Sequence, residues 1–323
     1  MTQVRHVTVA PGDEHMRLDR WFHREFPAVT HGHLAKLLRT GQVRLDGRRC
    51  KPGDRLVAGQ TVRVPPLPDA KAAAPRPQSA TPVDRREAED LAARIVYRDD
   101  DVIALDKPSG LAVQGGSGTK RHLDGMLDAL KFGAPERPRL VHRLDRDTSG
   151  VMLLARHAAA ARELGDLFKG RETDKTYWSL VAGRPDADEG LIDMPLAKRP
   201  GRGGERMRVD EEAGRRAISH FRVVDSAGDK VAWLALSPLT GRTHQLRVHC
   251  AAIGCPILGD GKYGGRDAFL SGFDLAKRVH LHARAIAMPW HGGELRVEAP
   301  LPRDLVKSWA LFGFDPNAAA VAP

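Results

Sequence analysis

Between positions 65 and 83 the chain reads PPLPDAKAAAPRPQSATPV, with 6 Pro and 5 Ala in 19 positions and no aromatic residue. Such a stretch has too little apolar surface to offset the entropy of ordering it, and its prolines interrupt helix and strand alike. It reads as a tether, extended here to residues 65–89, and it divides the 323-residue chain in two. The expected parts are a small unit at 15–64, a larger one at 90–314, and a disordered tail over 315–323. No run approaches the roughly 18–20 apolar residues of a membrane span, so no membrane association is expected. The N-terminus, MTQVRHVTVAPGDEHMRLDR, has no apolar segment of the secretory kind. Three cysteines are too few and too scattered for a disulfide framework, which suits a reducing, cytoplasmic setting. Cys250 and Cys255 are separated by four residues, with no second pair to complete a zinc site, and read as ordinary thiols.

The charge is uneven. The net is +10, and residues 1–64 hold 12 Lys/Arg against 6 Asp/Glu, so +6 of it lies on one fifth of the chain. An excess of this kind points to a polyanionic partner, nucleic acid first among them. Within the small unit, Leu18, Trp21, Phe22 and Phe26 recur at helical spacing. A second helix follows, with Thr30 as its N-cap, Leu34, Leu37 and Leu38 as its stripe, and Gly41 in the left-handed position beyond its end. Val43 and Leu45, the Asp46-Gly47 turn, and Val62 and Val64 predict a hairpin and a closing strand. His31, His33, Lys36, Arg39, Arg44, Arg48 and Arg49 gather on the second helix and its flanks, which predicts one cationic face. The plainer alternative is that these side chains only solvate the surface.

In the larger segment, residues 95–97 and 102–105 flank an Asp-rich turn and predict a hairpin. Leu123, Met126, Leu127 and Leu130 mark a helix, as do Ala161, Leu164, Leu167 and Phe168; residues 151–155, 176–182, 217–224 and 231–237 read as strands. Strands that mostly follow strands, with helices placed irregularly, predict an α+β domain on a mixed, largely antiparallel sheet. Gly115-Gly116-Ser117-Gly118 lacks the Lys-Ser/Thr of a phosphate-binding loop, and no dinucleotide fingerprint precedes a helix.

Two polar clusters could carry chemistry. HRLDRDTSG, residues 142–150, sits beside apolar strands and collects carboxylates, guanidinium groups and hydroxyls on one loop. A salt-bridged turn, with Asp145 or Asp147 capping backbone N–H groups, explains the same residues equally well. GRTHQLRVH, residues 241–249, predicts a helix capped by Thr243, with Leu246, Cys250 and Ile253 on its apolar face. His244 and His249 are five apart rather than four, and no Glu follows the first, so no metal site is expected. The strand residues Lys175-Thr176-Tyr177 and the turn DKPSG at 106–110 complete the set.

These motifs together resemble a known family. DKPSGLAVQGGSG, HRLDRDTSG, KTYWSLVAG and GRTHQLRVHCAAIGCPILGDGKYG stand in the order found in the RluA-type pseudouridine synthases. RLDRWF and LLRTGQVRLDG, with the helix–turn–helix-plus-hairpin pattern around them, resemble the S4 RNA-binding domain. The resemblance covers about residues 15–310. It implies an isomerase of the pseudouridine synthase fold behind a small S4-like α/β domain, acting on specific uridines at several sites in 23S ribosomal RNA. By the same resemblance Asp145 is the catalytic aspartate, Tyr177 lies against the uracil and assists proton transfer, and Arg247 holds the aspartate in place. Arg143 fills the space left by the flipped base, while Lys36, Arg39, Arg44, Arg48 and Arg49 would hold backbone phosphates. No metal and no cofactor are implied, and the protein is expected to be a monomer. One departure is DKP where many relatives have NKP. Two other readings stay in view: a non-catalytic RNA-binding or assembly protein of the same fold, and a metal hydrolase using His244, His249 and Asp145.

Overall fold

The computed structural model describes residues 3–67, 84–115, 119, 121–170, 172–201 and 204–317. The chain divides into two compact units, Met1–Pro82 and Val83–Pro323. Most of the tether (68–83), part of the glycine run (116–118) and the end of the tail (318–323) lie outside the described residues. No described helix is long and apolar enough to cross a membrane.

The first unit begins earlier than residue 15, with strand β1 (Arg5–Thr8). Helices α1 (Leu18–Glu25) and α2 (His31–Arg39) and strands β2 (Arg44–Leu45), β3 (Arg48–Arg49) and β4 (Thr61–Val64) follow. The sheet order is β1-β4-β2-β3, with β1 and β2 antiparallel to β4. Leu18, Trp21 and Phe22 bury the inner stripe of α1 against Leu34, Leu37 and Leu38 of α2 and Val62 and Val64 of β4. The Thr30 side chain accepts from His33 N–H at 3.3 Å, and Gly41 takes φ +69 just past α2. Asp46 and Gly47 both have positive φ, as a tight two-residue hairpin turn between twisted strands requires. The side chains of Lys36, Arg39, Arg44, Arg48 and Arg49 are all exposed.

The second unit opens with helix α3 (Arg85–Ala92). Residues 85–89, given to the tether on composition, are therefore helical: RREAEDLA is rich in helix formers, and Leu91 anchors it in the core beside Ile103 and Leu105. Strands β5 (Ile95–Arg98) and β6 (Val102–Lys107) form the expected hairpin, closed by the Asp99 carboxylate accepting from the N–H groups of Asp101 and Val102. A short helix α4 (Leu123–Met126) with a 3-10 turn, strands β7 (Arg139–Leu140) and β8 (Ser149–Ala155), and helix α5 (Ala158–Gly170) come next. Then come β9 (Asp174–Ala182), β10 (Glu189–Asp193), the hairpin β11 (Leu196–Gly201) and β12 (Gly204–Val209), β13 (Ile218–Ala227) and β14 (Val231–Pro238). Helix α6 (Gln245–Ala252), β15 (Leu281–Trp290), β16 (Gly293–Glu298) and α7 (Arg303–Ala310) complete the unit.

The main sheet runs β10-β13-β14-β9-β15-β8-β6-β5, with β16 on β15 and β7 on β8. All these pairings are antiparallel except β15 with β8, so the α+β, mixed and largely antiparallel sheet expected from the sequence is present. All seven residues of β8 are buried, because α5 covers Val151, Leu153 and Ala155 while α3 and α4 cover Met152 and Leu154. Gly150 begins that crossing. Its φ is +111, and a Cβ there would lie 2.1 Å from the Ala283 carbonyl oxygen of β15. Only glycine allows the two backbones to come this close.

Candidate active site

The loop of residues 141–148 leaves β7 and returns as β8. Its first anchor is His142, whose Nε2 accepts from Leu153 N–H at 2.8 Å while its ring stacks on Phe168 at 4.5 Å. Burial pushes the imidazole down to about 3, with the Lys175 charge adding to the effect, so this histidine stays neutral. It is a structural peg.

A second set of bonds clamps the far side of the loop. The Lys107 ammonium is fully buried and donates to the carbonyls of Pro108, Leu111 and Arg146, at 2.8, 3.0 and 3.2 Å. Ser109 Oγ donates to the Asp147 carbonyl at 2.8 Å, and Gly110 N–H to the Arg146 carbonyl at 2.8 Å. Burial, reinforced by Arg278, lowers Lys107 to about 7, whereas three convergent carbonyls favour the charged form. Through these bonds the DKPSG turn fixes the backbone on which Asp145 sits.

Asp145 lines a cavity of about 420 Å³ together with Arg143, Tyr177 and Arg247. The structure thus brings all four of these sequence-predicted residues to one space. The Asp145 side chain keeps 18% exposure, and one carboxylate oxygen is 3.9 Å from His244 Nε2. Arg143 is exposed, and Tyr177, on β9, is half-buried between two core clusters. Burial, then the negative charge of Asp145, push the Tyr177 phenol well above its ordinary range, so it keeps its proton. Lys169, Lys175 and Arg242 also line the cavity; with Arg143 and Arg247 they set five cations around a single acid, Asp145, among the described residues.

Arg247 is held differently from the expectation. Its Nε and Nη2 donate to the two carboxylate oxygens of Asp260, both at 2.7 Å, with side chains only 4% and 1% exposed. Its Nη1 stands 3.7 Å from Asp147, and its attraction to Asp145 acts through space. Burial alone would lower the guanidinium, but the bonds and charge of Asp260 outweigh it and hold Arg247 charged. Asp260 belongs to the ILGDGKYG run; nothing in its spacing from Arg247 marks the two as partners.

Thr243 does not cap α6. The residue before the helix is His244, in the left-handed region at φ +53, and Gln245 organises the turn instead. Gln245 Oε1 accepts from Thr240 Oγ1 and Arg242 N–H, and its Nε2 donates to the Ile218 carbonyl and to Ser219 Oγ. Four bonds from one buried amide do what a threonine cap was expected to do. His244 Nδ1 meets the Tyr263 hydroxyl at 2.6 Å; burial is the main reason its imidazole is lowered. His249 points away, to Ser219 Oγ at 2.9 Å and the Met194 carbonyl at 3.1 Å. The two histidines serve different neighbours, so the pairing a metal hydrolase would need is not formed.

Known proteins resemble this chain along nearly its whole length. The model of the RNA pseudouridylate synthase family matches residues 101–252, and that of the S4 domain matches residues 16–62. The ribosomal large subunit pseudouridine synthase C of Escherichia coli K12 is 36% identical over 314 residues, covering 94% of each chain. Its namesake from Rickettsia typhi is 33% identical over 293 residues, 88% of this chain and 94% of the relative. Among solved structures, human RNA pseudouridylate synthase domain containing 4 superimposes with a TM-score of 0.58 at 28% identity, covering 70% of this chain and 95% of its own. Human RNA pseudouridylate synthase domain containing 1 gives 0.54 at 31% identity, over 67% of this chain and 85% of its own.

Proposed function

Since the chain belongs to the RNA pseudouridylate synthase family, we propose that it converts specific uridines of large-subunit ribosomal RNA, 23S rRNA, to pseudouridine, with Asp145 as the catalytic carboxylate. One observation supports this most directly: among the described residues, a single carboxylate lines a cavity that five cations also line. The cations suit a polyanionic strand, and the acid suits chemistry at a glycosidic carbon. The S4-domain match and the large-subunit enzymes among the relatives support ribosomal RNA as the substrate.

The reaction breaks the C1′–N1 bond, turns the freed uracil and joins C5 to C1′; C5 loses a proton and N1 gains one. The product is an isomer, so neither water nor electrons enter the balance. The base first leaves its stack, at a cost of a few kcal/mol. Tyr177 offers an aromatic face, worth roughly 1–3 kcal/mol of stacking, and a protonated hydroxyl that can donate. Arg143, exposed on the loop beside Asp145, is the planar cation able to fill the vacated position. As N1 departs, electron deficiency grows at C1′, and Asp145 supplies the compensating negative charge. Arg247, clasped by Asp260, is a fixed positive charge facing that carboxylate rather than its hydrogen-bonded mate. On the S4 unit, the exposed Lys36, Arg39, Arg44, Arg48 and Arg49 meet backbone phosphates.

The test is pseudouridine mapping of total ribosomal RNA from cells lacking the gene, complemented with wild type or with Asp145→Asn. Wild type is expected to restore the missing sites and the variant none, with RNA affinity within a few-fold of wild type. Pseudouridine formed by Asp145→Asn would overturn the assignment of the carboxylate. An unaltered map in the deletion strain would point instead to a non-catalytic RNA-binding protein of this fold.

A further inference from the structure

A second cavity, of about 1110 Å³, has Arg247 in common with the first. The loop that carries Asp145 into one reaches the other two residues later, at Asp147. Two residues of extended chain span at most about 7 Å. That step is comparable to the separation of neighbouring phosphates on an extended strand.

The cavity wall is rich in charge of both signs, and the balance decides its net character. Asp260 is consumed by Arg247, and Asp304 faces Arg278 at 3.7 Å. Asp147 stands 3.7 Å from Arg247. Asp106 has a buried carboxylate oxygen without a hydrogen-bond partner, and burial raises the group to about 6, despite attraction from Arg94 and Arg278. Arg247 and Arg278 thus each face two acids, and the wall is cationic because seven Lys and Arg side chains line it against four Asp. On the cationic side, Lys277 and Arg303 are exposed, and their side chains form no ion pair or hydrogen bond with another described residue. Arg94 is exposed beside Asp106, and Lys262 is held over the Tyr263 ring at 5.7 Å. These four come from separate stretches of the fold, before β5, after α6, before β15 and at the start of α7, and line one space.

We propose that this cavity is a phosphodiester subsite: it holds the RNA backbone next to the everted uridine, with Lys277 and Arg303 as its free cations and Arg94 and Lys262 beside them. The inference rests on the RNA-modifying reading above and adds to it a place for the strand that flanks the target.

The experiment uses the full chain and a labelled single-stranded RNA rich in uridine, with affinity read by fluorescence anisotropy across a salt series. The Lys277→Gln/Arg303→Gln double variant is expected to bind several-fold more weakly at low salt. For single strands, each lost phosphate contact removes about 0.7 from the slope of log affinity against log salt, so the pair should remove about 1.4. Arg86→Gln/Lys230→Gln, which discards the same charge from exposed positions outside the cavity, controls for net charge. Equal effects from the two double variants, or an unchanged slope in the first, would overturn the subsite. A second arm adds inorganic phosphate at matched ionic strength. Chloride-like competition is expected, whereas saturable displacement of RNA by phosphate in wild type but not in the variant would mean a free-phosphate site instead. Wild-type pseudouridine formation is measured in parallel. Its failure would sink the activity, while the binding comparison would still judge the cavity.

Discussion

Asp106 and Lys107 are neighbours with opposite fates. Lys107 is buried and satisfied by three carbonyls; Asp106 is buried on one oxygen and satisfied by none there. The Asp106 carboxyl, raised to about 6, holds its proton in the folded chain over a range where the unfolded chain has already released it. Stability therefore falls as pH rises from about 4 to 6 and stays lower above that window. Asp106→Asn is expected to match wild type near pH 4. By pH 7 it should be more stable by on the order of 1 kcal/mol, once the group's partial exposure is allowed for. Urea denaturation at several pH values reads this directly, and a constant offset across the series would refute it. At this scale the sequence was informative about identity and poor about environment. Asp145, Tyr177, Arg143 and Arg247 could be picked out because their motifs are local strings, and all four line one cavity. That Lys107 is an internal clamp, or that His142 is a stacked peg, depends on what lies across the sheet, and no local string encodes it.

Among the elements, α6 shows why some expectations held and others did not. Its apolar face, with Leu246 and Cys250 buried and Ile253 packed beside them, follows from periodicity alone. Its start does not, because Gln245 reaches Thr240 and Ser219, and Ser219 lies on β13, 26 positions upstream. The clasp between Arg247 and Asp260 is equally non-local in effect, tying the helix to the loop that follows it. Removing one member of a buried, bidentate ion pair leaves the other uncompensated, at a cost of about 3–5 kcal/mol. Asp260→Ala is expected to lose stability in that range by chemical denaturation and to lose activity even where it remains folded. A loss under 1 kcal/mol would show that Arg247 finds another carboxylate, Asp147 being nearest.

For the molecule as a whole, the proline–alanine stretch predicts a two-part chain from composition alone. The structure holds two compact units, Met1–Pro82 and Val83–Pro323. What composition hid was the edges: β1 pairs with β4 ahead of residue 15, and α3 begins at Arg85, because short charged segments look alike whether or not they pack. Deleting residues 1–64 should weaken binding to structured ribosomal RNA and flatten its salt dependence, while the remaining chain still forms pseudouridine on short RNA. Equal affinity with and without those residues, by filter binding at two salt concentrations, would argue against a phosphate-holding role for the small unit.

The tight crossing at Gly150 bears on how tolerance to mutation would be interpreted here. With a main-chain oxygen occupying the place of any side chain, every replacement at that position should behave as a null allele. In a saturation library scored by pseudouridine formation, columns 145 and 150 are expected to look equally blank. Only an assay of soluble yield separates them, since under the role proposed for Asp145 the first loses its reaction and the second its protein.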